Sequence, residues 1–388
     1  MSEVAQVPQL RFPEFSGEWE EKRFDSLYPT VRNGFVGVAT PYYVEEGVPY
    51  LQGKNIKSGA INRNGLVYIN ESFHQKSKKS QLRQNDIVMV QSGHVGECAV
   101  ITEEFEDTNC HALLVSTPTH DIDSKFYINY FYSKFGRKKI YRITTGNTIK
   151  HILSSDLKIQ TVSNPSYQEQ QKIAAFLAAV DSKIEQLSKK QALLGEYKKG
   201  LMQQIFSQVT RFKADDGCDF PDWEEKKLGD VSVRGTSNIS ANQLEDNNGD
   251  YKIYGAAGHL KNIDFYTEED CYVAIVKDGA GVGRIMLLES KTSVLGTLAI
   301  IKAKQGNDIN FLYWLIQTIN FRKYVVGSTI PHIYYRDYQA EKLRIPSLSE
   351  QTKIASFLSS IDNKIEQVGK QLVESKQFKK ALLQQMFV

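Results

Sequence analysis

The sequence predicts an α+β protein built as a pseudo-two-fold repeat of two units, each a mixed α/β body followed by a long helix. Residues from Gly146 to Phe206 can be laid over those from Gly327 to Phe387 without a gap, and about half of the positions from Glu169 onward are identical. The bodies ahead of these tails hardly resemble each other. A repeat of this length indicates two similar domains in tandem. It also suggests a partner that has two halves.

The composition is that of a folded protein without strong overall charge. With 388 residues, 41 % of them apolar, the chain is long enough for two domains. A net charge of +3 excludes a polycation that coats nucleic acid indiscriminately, so any basic surface must be local. The start of the chain lacks the features of a signal peptide, and no run reaches the roughly 18 apolar residues of a membrane helix. We therefore expect a cytoplasmic protein.

The four cysteines predict neither disulfides nor a metal site. Cys98, Cys110, Cys218 and Cys271 form no Cys-x-x-Cys pair and no spacing with histidine that suits zinc. We interpret them as reduced thiols, which agrees with a cytoplasmic location.

Each unit begins with a short segment of aromatic residues and proline. Residues 12–15 and 19–22 read Phe-Pro-Glu-Phe and Trp-Glu-Glu-Lys, and residues 220–226 repeat this pattern over a shorter gap. Apolar runs at 86–90 and 272–276, bounded by glycine and asparagine turns, predict strands within the bodies. The predicted boundaries are 1–164 and 208–345 for the two bodies with their leading segments, and 165–207 and 346–388 for the two helices.

The tails are predicted to be helices that begin at a capping serine. Pro165-Ser166 is followed by Glu169, and Pro346-Ser347 is followed by Glu350. In this pattern the serine hydroxyl accepts the amide of the third helical residue, and the glutamate at that position reaches back to the cap.

Apolar residues then recur at the alternating three-and-four spacing of a coiled-coil seam. The predicted seam contains Ile173, Leu177, Val180, Ile184 and Leu187 in the first helix and Ile354, Leu358, Ile361, Ile365 and Val368 in the second. Because the two stripes agree in length and register, we expect the helices to pack on each other within one chain. Ordinary bundle packing and pairing of each helix with another chain are the alternatives.

A glycine-rich string at 276–283 invites an alternative interpretation as the cofactor turn of a methyltransferase. The string Asn-Pro-Ser-Tyr at 164–167 would then be a degraded base-holding motif. A cofactor turn must open a helix, yet residues 284–288 read as a second strand. A comparable element at 91–96 lies between two strand-like runs in the first body. We therefore predict a hairpin turn in both units.

Both units also share a short segment with a histidine. Residues 146–152 and 327–333 both read Gly-x-Thr-Ile-x-His-Ile. Their histidines, His151 and His332, are interpreted either as packed or capping residues of a turn or as contacts to a phosphate or base.

Basic, amide and histidine side chains of the bodies are the candidate DNA contacts. Such groups neutralise phosphates and bind base edges in the major groove. The candidates in the first body are Lys54, Asn55, Lys57, His94, Arg137, Lys138, Arg142, Asn147 and His151. Those in the second body are Lys252, Lys261, Lys277, Arg284, Arg322, Lys323, His332 and Arg336. For each of them, a solvated surface position is the alternative.

The order of these features resembles the specificity (S) subunit of Type I restriction-modification systems. The matching features are the Trp-Glu-Glu-Lys segment, the variable body and the helix start Pro-Ser-x-x-Glu-Gln-x-Lys-Ile-Ala, each present twice and together covering essentially the whole chain. The resemblance implies a non-catalytic DNA reader with two target-recognition domains, each binding one half of a bipartite sequence. It also implies that the helices form an antiparallel coiled coil that sets the spacer between the half-sites.

The same resemblance implies the partners and cofactors. These are double-stranded DNA, two methyltransferase (M) subunits docked on the repeat helices, and restriction (R) subunits that supply the nuclease. S-adenosylmethionine, ATP and magnesium would belong to those partners. A self-sufficient methyltransferase and a DNA-free scaffold built on the coiled coil are the alternative functions.

Overall fold

The computed structural model describes residues 6–388, which fold into two compact units. The first unit comprises residues 6–188 together with Lys370–Val388, and the second comprises Lys189–Gly369. Each long helix therefore contributes one half to each unit. Within residues 6–388, no helix combines the length and the apolar character that crossing a membrane requires.

The first unit contains a body of short strands and helices. Its strands are β1 (Glu20–Arg23), β2 (Thr30–Asn33), β3 (Tyr43–Val44), β4 (Val48–Leu51), β5 (Ile56–Lys57), β6 (Ala60–Ile61), β7 (Val67–Ile69), β8 (Ile87–Val90), β9 (Cys98–Val100), β10 (Asn109–Cys110), β11 (Leu113–Thr117) and β12 (Thr161–Asn164). Its helices are α1 (Phe24–Leu27), α2 (Glu71–Lys76), α3 (Ser124–Tyr132), α4 (Lys134–Arg142) and α5 (Ser154–Lys158), followed by the long α6 (Tyr167–Phe206).

The second unit is smaller. Its strands are β13 (Glu224–Lys227), β14 (Ser232–Thr236), β15 (Tyr251–Gly255), β16 (Gly258–Ile263), β17 (Tyr272–Val276), β18 (Ile285–Leu288), β19 (Ser293–Val294), β20 (Leu298–Ala303) and β21 (Lys342–Ile345). Its helices are α7 (Leu228–Val231), α8 (Ile309–Ile316) and α9 (Tyr335–Tyr338), followed by the long α10 (Leu348–Gln385).

One framework of strands recurs in both units. The sheet β2-β11-β8-β9 of the first unit corresponds to β14-β20-β17-β18 of the second, and both are antiparallel. The pair β1-β12 corresponds to β13-β21, so each Glu-Glu-Lys strand pairs with the strand that leads into the long helix. The remaining sheets differ, since the first unit has β10-β4-β7-β3 and the pair β5-β6, whereas the second has β16-β15-β19. The mixed α/β bodies and their shared architecture are thus confirmed.

The central strands of this framework are apolar throughout because both of their faces are buried. In β8, Ile87 and Met89 point into one core cluster, while Val88 and Val90 point into another. Strand β17 repeats the arrangement with Tyr272–Val276, whose side chains alternate between two clusters. A strand covered on two sides loses the alternation of apolar and polar residues. These are the strands predicted at 86–90 and 272–276.

The long helices run antiparallel in each unit. In the first unit Asp181 pairs with Lys379 at 2.6 Å, and Ser163, just before the helix, donates to the carbonyl of Val388 at the chain end. The second unit pairs Lys198 with Asp362 at 2.6 Å. There, Arg211 lies after the first helix and contacts Glu350 near the start of the second. In both cases the partner's number falls as the residue number rises.

The heptad positions line the packed side of both helices. The buried positions are Ile173, Leu177, Leu187, Ile354, Leu358, Ile361 and Val368. The half-buried positions are Val180, Ile184 and Ile365. Packing of such a stripe, rather than helix propensity, supplies most of a long helix's stability.

The first turn of each long helix holds a buried ion pair. The Glu169 amide donates to the Ser166 hydroxyl at 3.3 Å, as predicted for a serine cap. The Glu169 carboxylate, however, accepts two bonds of 2.8 Å from Arg11 and one of 3.2 Å from the Trp19 indole. The predicted return of this glutamate to the cap is therefore wrong. A cation compensates the charge of a buried carboxylate better than a backbone amide does, and water can solvate that amide instead.

The second helix start repeats the ion pair but not the cap bond. Arg211 donates to Glu350 at 3.0 Å, and the Glu350 side chain is fully buried. The hydroxyl of Ser347 has no hydrogen-bond partner, so the predicted cap is not formed in this copy.

The glutamine after each glutamate fastens the helix to its body. Gln170 accepts the amide of Asp123 at 3.0 Å and donates to the carbonyl of Pro165 at 2.9 Å. Gln351 likewise accepts the amide of Asp308 at 2.9 Å. Asp123 and Asp308 are the N-caps of α3 and α8, so one side chain joins two helix starts.

The leading segments align differently from the sequence pattern. Phe12 packs edge-on against Phe176 on the long helix, and Phe212, not the predicted Phe220, makes the same contact with Phe357. The flanking ion pairs agree, since Lys172 binds Glu14 and Lys353 binds Asp215, each at 2.7 Å. The phenylalanine-proline similarity at 12 and 220 is therefore local. The equivalence is fixed by contact with the helix.

We expect Glu169→Gln to destabilise the first unit by about 2 kcal/mol, because the substitution keeps the side-chain volume but removes the buried charge that pairs with the half-buried Arg11. Urea denaturation followed by hydrogen exchange of peptides from β1 and β12 measures this loss.

The matched control is Lys172→Gln, which breaks an exposed ion pair on the same helix turn and should leave those peptides unchanged. Equal protection of β1 and β12 in Glu169→Gln and wild type would contradict the prediction.

Candidate nucleic-acid interface

A cleft of about 1110 Å³ in the first unit collects six basic side chains. They are Lys54, Lys57, Lys134, Arg137, Lys138 and Lys150. One carboxylate, Glu97, lies in the same lining, and His94 and Tyr141 are beside it. Like charges concentrated in a concave surface create a field that attracts a polyanion.

Arg137 is held in place by its neighbours. Its guanidinium donates to Glu97 at 2.8 Å and stacks 4.5 Å from the centre of the Tyr132 ring, whose hydroxyl also donates to Glu97 at 2.9 Å. Burial opposes ionisation of Glu97, but hydrogen bonds from the Ser58 amide, Arg137 and Tyr132 outweigh it and lower the pKa of Glu97. Burial raises the pKa of Tyr132, which keeps its hydroxyl a donor. Arg137 is thereby fixed at the cleft wall.

Helix α4 forms one wall of the cleft, because the residues that line the cleft recur at helical spacing. Ser133 caps the helix by accepting the Gly136 amide at 3.1 Å. Positions 134, 137, 138 and 141 then fall on one face, as the i, i+3, i+4 and i+7 pattern requires. Sequence reasoning named Arg137 and Lys138 but missed Lys134, which this spacing identifies. Lys150 could not be found this way, because its position depends on how a loop folds back.

The remaining candidates of the first body take different places. His94 lines the cleft, and Arg142 and Asn147 are exposed on α4 and on the loop that follows. The His151 ring is half-buried, with Nε2 3.2 Å from the Gln91 amide nitrogen.

The structure contradicts a DNA contact at Asn55. Its side chain is fully buried, accepts the amide of Gln52 at 3.0 Å and donates to the carbonyl of Asn62 at 2.9 Å. It closes the turn that presents Lys54 and Lys57, which lie on either side of it in the sequence. Asn55 was grouped with them by proximity, whereas a short amide in a turn more often satisfies backbone groups.

The candidate cations of the second body are mostly engaged by their own unit. Lys252 binds Glu289 and Lys323 binds Glu341, which raises the pKa of each lysine. Lys261 donates to the carbonyl of Leu244 at 2.7 Å.

Four candidates of the second body lie near its glycine-rich turn or the shared segment. Arg284 donates to the carbonyl of Ala256 at 2.6 Å, and Lys277 is half-buried at the end of β17. Arg322 and Arg336 are exposed, and Arg336 lies 5.0 Å from the Tyr334 ring centre. The two bodies thus distribute their charges differently.

The glycine-rich strings are hairpin turns, as predicted. Strands β8 and β9 pair antiparallel on either side of residues 91–97, and β17 and β18 do so on either side of 277–284. Asn164 ends β12 and accepts a hydrogen bond from Tyr127 at 2.6 Å, so its role is structural. Neither glycine-rich turn opens a helix, as a turn that binds a cofactor would. Among residues 6–388, no group of three or more His, Cys, Asp or Glu side chains is placed to hold a metal ion.

In both units the shared segment folds as a closed loop on this hairpin turn. Thr145 and His151 exchange two backbone hydrogen bonds, as do Val326 and His332. We call residues 145–151 and 326–332 the shared loops. The amides of Gly93 and Gly279 donate to the carbonyls at 150 and 331, at 3.1 and 2.9 Å. The His332 ring binds Asp278 at 2.7 Å.

Comparison with known proteins gives one family. A family model described as the Type I restriction modification DNA specificity domain matches residues 16–194 and again residues 221–375. The MjaVIII specificity subunit of a type I restriction enzyme from Methanocaldococcus jannaschii is 24 % identical, over 96 % of this chain and 92 % of its own.

Solved structures share the fold. The S subunit of a Type I restriction-modification system from M. genitalium superposes with a TM-score of 0.66 at 18 % identity, covering 98 % of this chain and 99 % of its own. A chain from a structure describing complex assembly of the type I R-M system has a TM-score of 0.54 at 16 % identity, covering 94 % and 96 %.

We expect Lys57→Ala and Lys138→Ala to weaken binding of duplex DNA irrespective of its sequence, because each removes one charge that neutralises a phosphate. The plot of log affinity against log salt concentration has a negative slope, and each substitution should lower the magnitude of this slope by about 1. Fluorescence anisotropy with two unrelated duplexes over a salt series measures this slope.

Lys125→Ala is the control, since Lys125 is exposed at the start of α3 and lies outside the cleft lining. A slope that stays at the wild-type value in both cleft variants would rule out the cleft as a phosphate-binding surface.

Proposed function

The chain belongs to the Type I restriction-modification DNA specificity family, and from this membership we propose that its two bodies each bind one half of a bipartite DNA sequence. It acts as the DNA-specificity subunit of such a system, the component that selects the site rather than the one that cuts or methylates it. The sequence read by the first body differs from that read by the second, so the full target is asymmetric.

The observation that carries this proposal is a common frame with different surfaces. The family model matches once in each half, and the sheets and ion-paired helix starts recur in both units. The cations on the bodies do not recur, since the first body gathers them in a cleft whereas the second pairs Lys252 and Lys323 with carboxylates. Different half-sites require different donors at base edges.

The proposed mechanism is direct reading of two half-sites. In each body, lysine and arginine on phosphates fix the register, and a few polar side chains contact base edges in the major groove. Lys54, Lys57 and Lys138 are exposed at the cleft of the first body and suit the phosphate role. Arg137, held by Glu97 and Tyr132, is preorganised and suits a base contact, because little side-chain entropy remains to be lost on binding.

The proposed partners are two methyltransferase subunits and the restriction subunits that join them. The repeated helices offer each methyltransferase subunit an equivalent surface, which supports a stoichiometry of two. S-adenosylmethionine, ATP and magnesium serve the chemistry of these partners, and the complex acts in the cytoplasm, where the DNA is accessible.

Methylation mapping tests the proposal. A host that expresses this chain with its methyltransferase subunit should acquire one methylated motif made of two different half-sites and a spacer of fixed length. A methylation pattern independent of this chain, or a continuous motif, would refute it.

We expect the long helices to set the spacer. Inserting one heptad after Lys189 and one after Lys370, the equivalent position, keeps the seam in register and lengthens both helices by about 10 Å at 1.5 Å per residue. The preferred spacer should grow by about three base pairs at 3.4 Å each, with both half-sites retained.

The matched control inserts seven residues at Gln305-Gly306, an exposed turn of the second body, and should leave the spacer unchanged. An unaltered spacer in the helix variant would show that the helices do not act as the ruler.

A further inference from the structure

The shared loops contain residues that folding explains and residues that it does not. Gly146 and Gly327 have φ values of 91° and 88°, and an added Cβ would lie 2.2 and 2.5 Å from the carbonyl oxygens of Ile149 and Ile330. These glycines are therefore required by the backbone. The histidine positions close each loop through paired backbone bonds, and their rings contact the hairpin turn beneath, His151 at Gln91 and His332 at Asp278.

The isoleucines that follow the histidines are also explained. Ile152 and Ile333 are 0 % and 2 % exposed, and each belongs to the main core of its unit. Burial of such a side chain in an apolar core stabilises the fold. Glycine, histidine and the last isoleucine thus recur because the loop needs them.

Threonine and isoleucine at the loop tips have no such explanation. Thr148 and Thr329 are exposed, and Ile149 and Ile330 are 66 % and 56 % exposed. An isoleucine left in water contributes little to folding, yet the same Thr-Ile pair stands at the same place in two bodies that otherwise hardly resemble each other. A ligand common to both units accounts for this identity.

The surroundings of the tips indicate an anionic ligand. Arg142 is exposed four residues before Gly146, whereas its counterpart Lys323 is paired with Glu341, so the cation exposed near the second loop is Arg322, five residues before Gly327. Lys150, next to Ile149, lines the basic cleft of the first unit. Both shared loops thus lie next to cations, although the rest of the charge pattern differs.

We propose that the tips Thr148-Ile149 and Thr329-Ile330 make the same sequence-independent contact with the DNA backbone in both halves of the target. The inference rests on the proposed function, under which the half-sites differ but the sugar-phosphate backbone does not. Threonine hydroxyls and loop amides donate to phosphate oxygens, the neighbouring cations neutralise the charge, and the isoleucine packs on the carbons of the deoxyribose. Base recognition is left to residues that differ between the bodies.

The test places a negative charge at each tip. In the complex with methyltransferase subunits, Thr148→Glu and Thr329→Glu should each weaken binding about tenfold on the target duplex and on an unrelated duplex alike, because repulsion from a phosphate does not depend on sequence. The double variant should lose about a hundredfold, since the two sites are separate. The methylated motif should stay the same.

The control is Gln305→Glu, which makes the same charge change on an exposed turn. Strand β20 runs from Leu298 to Ala303. Leu298 pairs with Val276, next to the hairpin turn that carries the second shared loop, whereas Gln305 lies beyond the other end of the strand. This variant should bind as wild type does. Ile149→Ser is a second variant that adds no charge, and it should also lower affinity on both duplexes.

Three outcomes would overturn the inference. They are unchanged affinity in both tip variants, an altered methylation motif, which would make the tips base readers, and failure to assemble with methyltransferase subunits while DNA binding persists, which would make them a protein interface. If the wild-type complex itself binds no DNA, the proposed function fails instead, so the two failures are distinguishable.

Discussion

A buried carboxylate at the first turn of each long helix is the constraint on which the rest of the fold depends. Glu169 draws Arg11 and Trp19 onto the helix, and Gln170 next to it fastens the helix to the body through the cap of α3. Because a buried charge without its partner is costly, the leading segment, helix and body can adopt only one arrangement. Glu350 and Gln351 repeat this arrangement, so the two divergent bodies are attached to their long helices in the same way.

This common attachment is shared by the two units, whereas the surfaces of their bodies differ. The frame fixes where the hairpin turn and the shared loop stand, because strands β8 and β17 end at the same place in their sheets. The surface around that place is free to change, as the basic cleft of the first body and the salt-bridged lysines of the second illustrate. A rigid support with variable surface groups is how proteins usually place binding residues.

Sequence alone predicted the features that arise from local periodicity. The heptad stripe, the serine cap at Ser166 and both hairpin turns follow from spacing and turn chemistry. It could not predict the partner of Glu169, which lies far away in the chain, or that Phe212 rather than Phe220 corresponds to Phe12. The cleft was found only in part, since Lys150 reaches it through the folding of a loop and Asn55 turns inward to satisfy backbone groups.

The first unit is completed by residues that follow the second unit in the sequence, and this has a consequence for how the protein is made. Met386 and Phe387 are buried in the core of the first unit, where Phe387 packs against Trp19 and Phe126. Domains generally fold as units during synthesis, but this core lacks part of its packing until Met386 and Phe387 have left the ribosome. The second unit is one continuous stretch, Lys189–Gly369. The core of the second unit is therefore completed before the core of the first, although the first unit begins earlier in the sequence.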